Sequence, residues 1–422
     1  MQEKVLAYLD EHKEEMFGLL SDLLKIDTQN YISYGNEEAG QQFFAEFCQK
    51  NGFQTDLYYP DSIPGFTEHE GYLAGRGTDR RPNVTAILPG KTGKQKITLA
   101  AHMDTMPVGS ETDWSVPALG GVMKDNRIYG RGSSDDKFGI AASIFAAMAI
   151  RDSGVILDDD VYITSYCDEE MGGGNGALAT CLKYPSDVYI NLDGGGMQVL
   201  PYGIGGLSGA ASLHKEETLS SCSSVFEGLT ILVDEFEKFG KKRFKELGKS
   251  PIFAGTSIHD DAYRLLGVTC GSGGLDLNSA KISFTYYTLQ EQSAIEAEVE
   301  ELAQRISKKL AKKGLVFDGI QKVSRFFHPI YPDSVSQDAM LFKEKLETSY
   351  GKSVAIAGGC LSDLSVLHKY GNGVAFNTGL YKGFDEYGGP HQIDEYVDCD
   401  EFLAIAKALA LYLLEKTYSK GE

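Results

Sequence analysis

Four places in the sequence carry side chains able to bind a cation or move a proton, and each lies where one texture gives way to another. The apolar run KITLAA ends in His102-Met103-Asp104, and VYITSYC ends in Asp168-Glu169-Glu170, with Met171 and then three glycines after it. YINL ends in Asp193-Gly194-Gly195-Gly196, and GRGSSDDKFG sets Asp135 and Asp136 ahead of an alanine-rich segment. Three adjacent carboxylates raise one another's pKa unless positive charge lies among them. One or two divalent cations would offset that repulsion and keep the acids ionised. Taken singly, each piece has an ordinary reading: a histidine bonded to a neighbour, a helix-capping aspartate, a solvated acidic loop, a turn aspartate before glycines. Taken together, accident would have to bring four such segments to one sheet edge.

For these groups to meet, the runs before them must be strands of one sheet. NVTAIL (83–88), KITLAA (96–101), VYITSY (161–166) and DVYINL (187–192) are short and β-rich, and GIAASIFAAMAIRDSG between the second and third reads as a helix. Strands alternating with helices predict an α/β domain with a mostly parallel central sheet flanked by helices. The carboxyl ends of such strands line a ligand crevice. An amphipathic helix is predicted over residues 4–24, and another at GQQFFAEFCQKNG, stopped by Gly52.

After Gly196 the texture changes to a helix at SSVFEGLTILVDEFEKF, a glycine-rich patch at CGSGGLDL, an alternating strand at AKISFTYYTL and a charged helix at SAIEAEVEELAQRISKKLAKKG. Helix and strand segregate there, which predicts an α+β insertion at 203–320. The earlier style returns with a helix at DAMLFKEKLETSYG, a strand at GVAFNTGL and a closing helix at FLAIAKALALYLLEKTY. The main domain is therefore expected to be discontinuous, 1–202 with 321–422.

At 422 residues the chain suits two domains. Forty basic against 60 acidic residues give a net charge of -20, which argues against nucleic acid or an anionic membrane as partner. The seven cysteines show no C-x-x-C spacing and read as reduced, buried thiols. The first residues mix charges into their apolar pattern, unlike a secretory signal, and no apolar run is long enough to span a membrane. A cytoplasmic location is expected.

In this order, AAHMDTMPVG, IYGRGSSDDKFGIAA, CDEEMGGG, NLDGGG and GGPHQIDEYV resemble the dinuclear zinc metallopeptidases of family M20. That family includes peptidase T, carnosinase-type dipeptidases, acetylornithine deacetylase and succinyl-diaminopimelate desuccinylase. The DGGG is most like peptidase T, and GRGSSDDK is more like the dipeptidase and deacylase branches. The resemblance covers almost the whole chain. It implies a zinc-exopeptidase catalytic domain carrying an inserted lid. It also implies two Zn2+ per chain, with Co2+ or Mn2+ able to substitute: His102, Asp135 and Asp193 around one, and bridging Asp135, Glu170 and His391 around the other. Glu169 matches the general base, and Asp104 the acid that holds the first histidine. Asp136 is left to stabilise the helix start.

Zinc takes imidazole nitrogen and carboxylate oxygen, and a catalytic site leaves room for water and substrate. A carboxylate bonded to the non-ligating nitrogen of His102 would fix its tautomer. Glu169 would take a proton from water and pass it to the leaving amine. Some relatives stabilise the oxyanion with a lid histidine. His214 lies near that place, without the family's glycine and proline setting. The stretch where many relatives carry a carboxylate-binding arginine reads FTYYTLQEQ, and Thr288 and Gln290 offer no bidentate contact. The expected activity is hydrolysis of an amide bond, foremost by an exopeptidase acting on short peptides. The alternative on the same scaffold is a deacylase of N-acyl amino acids, and a non-catalytic binding homologue is the rival of another class. A homodimer through the lid fits the resemblance, although no sequence feature establishes one.

Overall fold

The structure, a computed structural model, describes residues 1–215, 224–271 and 278–418. Most of the glycine-rich patch at 270–277 lies outside them, as do Cys222 and the first residue of the helix expected from 223. The chain forms two compact units, one of residues 1–201 with 332–422 and one of residues 202–331.

The first unit opens with α1 (Gln2–Glu11), α2 (Lys13–Leu24) and α3 (Glu37–Lys50). The single helix expected over 4–24 is thus two, because His12 leaves helical geometry at φ -106 and ψ 13 and ends the first. Next come β1 (Gln54–Tyr58), β2 (Asn83–Leu88), β3 (Lys96–His102), the small strands β4 (Val122–Lys124) and β5 (Arg127–Tyr129), and α4 (Phe138–Asp152). They are followed by β6 (Asp160–Tyr166), α5 (Asn175–Lys183), β7 (Val188–Asn191) and β8 (Val199–Gly203).

The second unit contains β9 (Gly205–Lys215), α6 (Val225–Leu247), α7 (Ser257–Asp260), β10 (Tyr263–Cys270), β11 (Ser279–Thr288), α8 (Gln292–Ala311) and β12 (Leu315–Lys322). The chain then re-enters the first unit with α9 (Gln337–Tyr350), β13 (Ile356–Gly359), α10 (Leu364–Tyr370), β14 (Val374–Thr378), β15 (Tyr396–Asp398) and α11 (Cys399–Thr417). A boundary at 320 would cut β12; the compact unit runs on to Tyr331.

The main sheet has eight strands in the order β1-β2-β6-β3-β7-β14-β8-β13. Its centre, β6-β3-β7-β14, is parallel, and the pairs β1–β2, β2–β6 and β14–β8 are antiparallel. Both segments of the discontinuous unit therefore contribute strands to one sheet. Its core joins Leu99, Ile163, Ile190 and Phe376 from the strands to α4 and α11. Every residue of α4 from Phe138 to Ile150 is buried. That is the reason for its alanines, since small side chains let a helix be enclosed on all sides by α1, α2, α11 and the sheet. Lys137, just before α4, donates to Leu23 O at 3.0 Å and Ile26 O at 3.1 Å, tying the helix start to the end of α2.

The second unit stacks α6 and α8 on an antiparallel sheet, order β10-β11-β9-β12. Glu235 on α6 is 3% exposed and meets Lys309 Nζ at 2.7 Å, Lys238 Nζ at 2.9 Å and Arg305 Nε at 3.2 Å. Burial pushes its pKa up, but the three cations outweigh that and hold it down at about 2. A depressed carboxylate contributes stability above its unfolded value, and the contribution is lost as pH falls through the folded one. Glu235→Gln is therefore expected to lower stability at pH 7 by roughly 1 kcal/mol, a figure discounted because the cations are exposed. The gap from wild type should close between about pH 4.5 and pH 2. Urea unfolding followed at several pH values checks it, and a gap that widens in acid would contradict the assignment.

Candidate metal centre

The strand ends deliver the expected groups to one place. His102 closes β3, Glu169 and Glu170 follow β6, Asp193 follows β7, Asp135 lies in the turn before α4, and His391 comes from the loop before β15. His102 Nε2 is 3.0 Å from Asp135 Oδ1, and His391 Nε2 is 3.3 Å from Asp135 Oδ2 and 2.8 Å from Glu170 Oε2. Donor atoms of His102, Asp135 and Glu170 lie within 4.8 Å of one another, and so do those of His102, Glu169 and Asp193. Asp135 thus faces one histidine with each oxygen, the arrangement a bridging carboxylate needs.

The electrostatics of this cluster call for added positive charge. Burial, and then Asp193, push the carboxyl of Glu169 well up, while burial and Asp135 do the same to Asp193. Burial also raises Glu170. Burial disfavours charge on His391, but Glu170 and Asp135 push it up to about 10, and His102 is raised well above its usual value against the same penalty. Asp135 is held well below the carboxylate range by these two imidazoles, which outweigh its burial. Asp193 Oδ2 is buried with no hydrogen-bond partner among the described residues. Two imidazoles, several converging carboxylates and one orphaned carboxylate oxygen form a donor set that fits divalent zinc.

The supports of these groups differ in part from expectation. His102 Nδ1 meets the backbone carbonyl of Asp104 at 2.9 Å, a contact that makes it the donor and leaves Nε2 for a cation. The Asp104 carboxylate, expected to hold that nitrogen, stands 3.7 Å away. It accepts instead from Asn30 Nδ2 at 2.7 Å and from the amides of Glu169 and Glu170 at 3.0 Å. Asp104 therefore fixes the backbone of the acidic loop. Asp136 does not cap α4, whose start shows no side-chain cap. Its Oδ2 lies 3.4 Å from the His102 amide, and burial drives its pKa up.

Four further features were not read from the sequence. Glu395, four residues after His391, is buried and accepts from Arg131 at 2.7 Å and from the amides of Gly132, Ser134 and Asp135, which shapes the turn that presents Asp135. Asp168 is held by Arg76 Nε at 3.1 Å and Arg81 Nη1 at 3.0 Å, and Arg81 also reaches Glu37 at 2.6 Å. Both Asp168 (φ 65) and His391 (φ 64) adopt the left-handed backbone, which non-glycine residues hold only when surroundings over-determine them. The Arg80-Arg81 pair and the four-residue step from His391 to Glu395 were the available signals. Asp363, buried at the start of α10, adds a carboxylate that raises Glu169 and Asp193.

His214 belongs to the second unit, on β9, with Nδ1 at 2.6 Å from Asp318. Thr288 and Gln290 are engaged within that unit by Glu246, at 2.8 Å and 3.0 Å. No disulfide joins any two of the six described cysteines, and Cys270 and Cys360 are only partly buried. Among the described residues no helix is long and apolar enough to cross a membrane.

Residues 98–415 match the model of peptidase family M20/M25/M40, and the chain belongs to that family. It is 28% identical over 196 residues to N-formyl-4-amino-5-aminomethyl-2-methylpyrimidine deformylase of Halalkalibacterium halodurans, covering 45% of this chain and 41% of that protein. It is 40% identical over 115 residues to succinyl-diaminopimelate desuccinylase of a Bradyrhizobium species, covering 27% and 29%. The matches thus span less than half the length of these curated relatives. The fold is that of human carnosine dipeptidase 1, at TM-score 0.73 with 14% identity over 98% of this chain and 99% of that one.

Proposed function

We propose that the protein is a metal-dependent hydrolase of amide bonds, and that the substrate is a short peptide cleaved from its end. The observation that supports this most directly is Asp135 facing both imidazoles while Glu169 and Asp193 converge on His102. His102, Asp135 and Asp193 would hold one Zn2+, and Asp135, Glu170 and His391 the other. Bound there, the ions would polarise the scissile carbonyl and acidify a water. Glu169 would take the water's proton and return it to the leaving amine, a task suited to a carboxylate whose pKa is raised by burial. Asp104 would hold the loop that presents both glutamates. Deacylation of an N-acylated amine is the second reading, favoured by the deformylase and desuccinylase among the relatives.

A panel of dipeptides, tripeptides and N-acyl amino acids, assayed with zinc, manganese or cobalt, decides between these readings. Turnover of none of them would remove both. The metal count has its own check. Zinc titrated into chelator-treated protein is expected to saturate at two per chain and to release at least about two protons, one from each imidazole. Calorimetry in buffers of different ionisation enthalpy measures both quantities. Asp135→Ala should weaken both sites and His391→Ala mainly one, and a plateau at one zinc in wild type would overturn the dinuclear centre.

A further inference from the structure

Amide hydrolysis needs a donor for the carbonyl oxygen as it takes up negative charge, and a preorganised donor of this kind contributes much of the rate enhancement in such catalysis. Within the first unit the candidate is Tyr381, in the loop after β14. Its backbone pairs with the glycines that follow Asp193: Gly196 N donates to Tyr381 O at 2.9 Å and Tyr381 N to Gly194 O at 3.3 Å. A side chain at Gly195 would meet the tyrosine ring, since a Cβ there would lie 2.6 Å from Cδ2 and 2.7 Å from Cε2. The glycine run after Asp193 is therefore the bed on which the ring lies. From the other side Phe384 packs on Tyr381 with ring centroids 5.7 Å apart, and Phe384 in turn packs edge-on against His391 at 5.1 Å.

The ring thus packs against the glycines after Asp193 and against Phe384, which in turn packs on His391. It is partly exposed, and its hydroxyl forms no hydrogen bond with any described residue. Burial, then Asp193, Cys360, Asp135 and Glu169, push the phenol well above its usual range. The phenol therefore keeps its proton at neutral pH. A phenol whose ring is packed, which keeps its proton and which has no hydrogen-bond partner among the described residues is free to donate to a bound molecule.

Resting on the amide-hydrolase reading above, we infer that Tyr381 is a catalytic residue whose hydroxyl donates a hydrogen bond to the substrate carbonyl oxygen as it becomes an oxyanion. No proton is transferred in this step. The hydrogen bond strengthens as charge develops on the oxygen and weakens when the carbonyl re-forms and the amine leaves. The donor comes from the catalytic unit itself.

Tyr381→Phe tests this, because it keeps the ring on Gly195 and removes only the oxygen. Zinc content and calorimetric affinity for acetohydroxamate, a small metal-binding oxyanion that needs no knowledge of the substrate, are measured on both proteins. The variant is expected to hold as much zinc as wild type, to bind acetohydroxamate roughly 10-fold more weakly, and to lose roughly 100-fold in kcat on any substrate that wild type turns over. Equal acetohydroxamate affinity in the two proteins, or an unchanged kcat, overturns the assignment. Wild type that binds zinc but no acetohydroxamate overturns the hydrolase reading instead, and the role of Tyr381 with it.

Discussion

Glu169→Gln is expected to leave metal content and fold intact and to lower turnover by roughly two to four orders of magnitude, the range for loss of a general base. The substitution keeps the size of the side chain. It also leaves the tether of the loop alone, because the Glu169 amide, not its carboxylate, is bonded to Asp104. Glu170→Gln makes the contrast. Glu170 Oε2 faces His391 at 2.8 Å and Oε1 accepts from the Met106 amide at 2.8 Å, so an amide in its place should weaken zinc binding first. Activity should then return in part at high zinc or cobalt, since an amide oxygen is a poorer ligand than a carboxylate. Metal analysis beside steady-state kinetics separates the two roles. A fully active Glu169→Gln with a metal-replete but inactive Glu170→Gln would move the base by one residue.

Much of this centre was legible because each ligand follows a short apolar run, and parallel strands deliver their carboxyl ends to a common edge. β2 spans the residues expected for it, and β3, β6 and β7 differ by a residue at their ends. β1 at one edge of the sheet and β8, next to the strand at the other edge, were less legible, because each is only five residues long. The break at His12 left no trace in the apolar spacing, which runs on through it. The support of His102 was misread for a different reason: a carboxylate two residues from an imidazole can bond through its side chain or its carbonyl, and sequence does not distinguish them. The partners of Asp168 come from loops 92 and 87 residues away, and no local pattern announces a contact at that separation.

Those partners set Asp168 apart within the acidic triplet. Neither metal binding nor proton transfer is assigned to Asp168, yet its surroundings make Asp168→Asn the change of the three expected to lower stability most. Asp168, Arg76, Arg81 and Glu37 form a buried group of two positive and two negative side chains, all at most 3% exposed. The Asp168 carboxylate fills the space where a Cβ on Gly173 would stand, 2.1 Å from Oδ2. One of the three glycines after the triplet is therefore there to admit this carboxylate. Asparagine tolerates the left-handed backbone at position 168, so the substitution removes charge with little backbone penalty. It leaves a net positive charge buried, and breaking a buried pair in this way costs about 3–5 kcal/mol. Adding Arg76→Met restores the balance, leaving Arg81 against Glu37, and should recover a large part of the loss. Denaturant unfolding of the two single variants and the double variant forms the cycle. Additive losses, or an Asp168→Asn protein as stable as wild type, would show that the four charges do not act as one group.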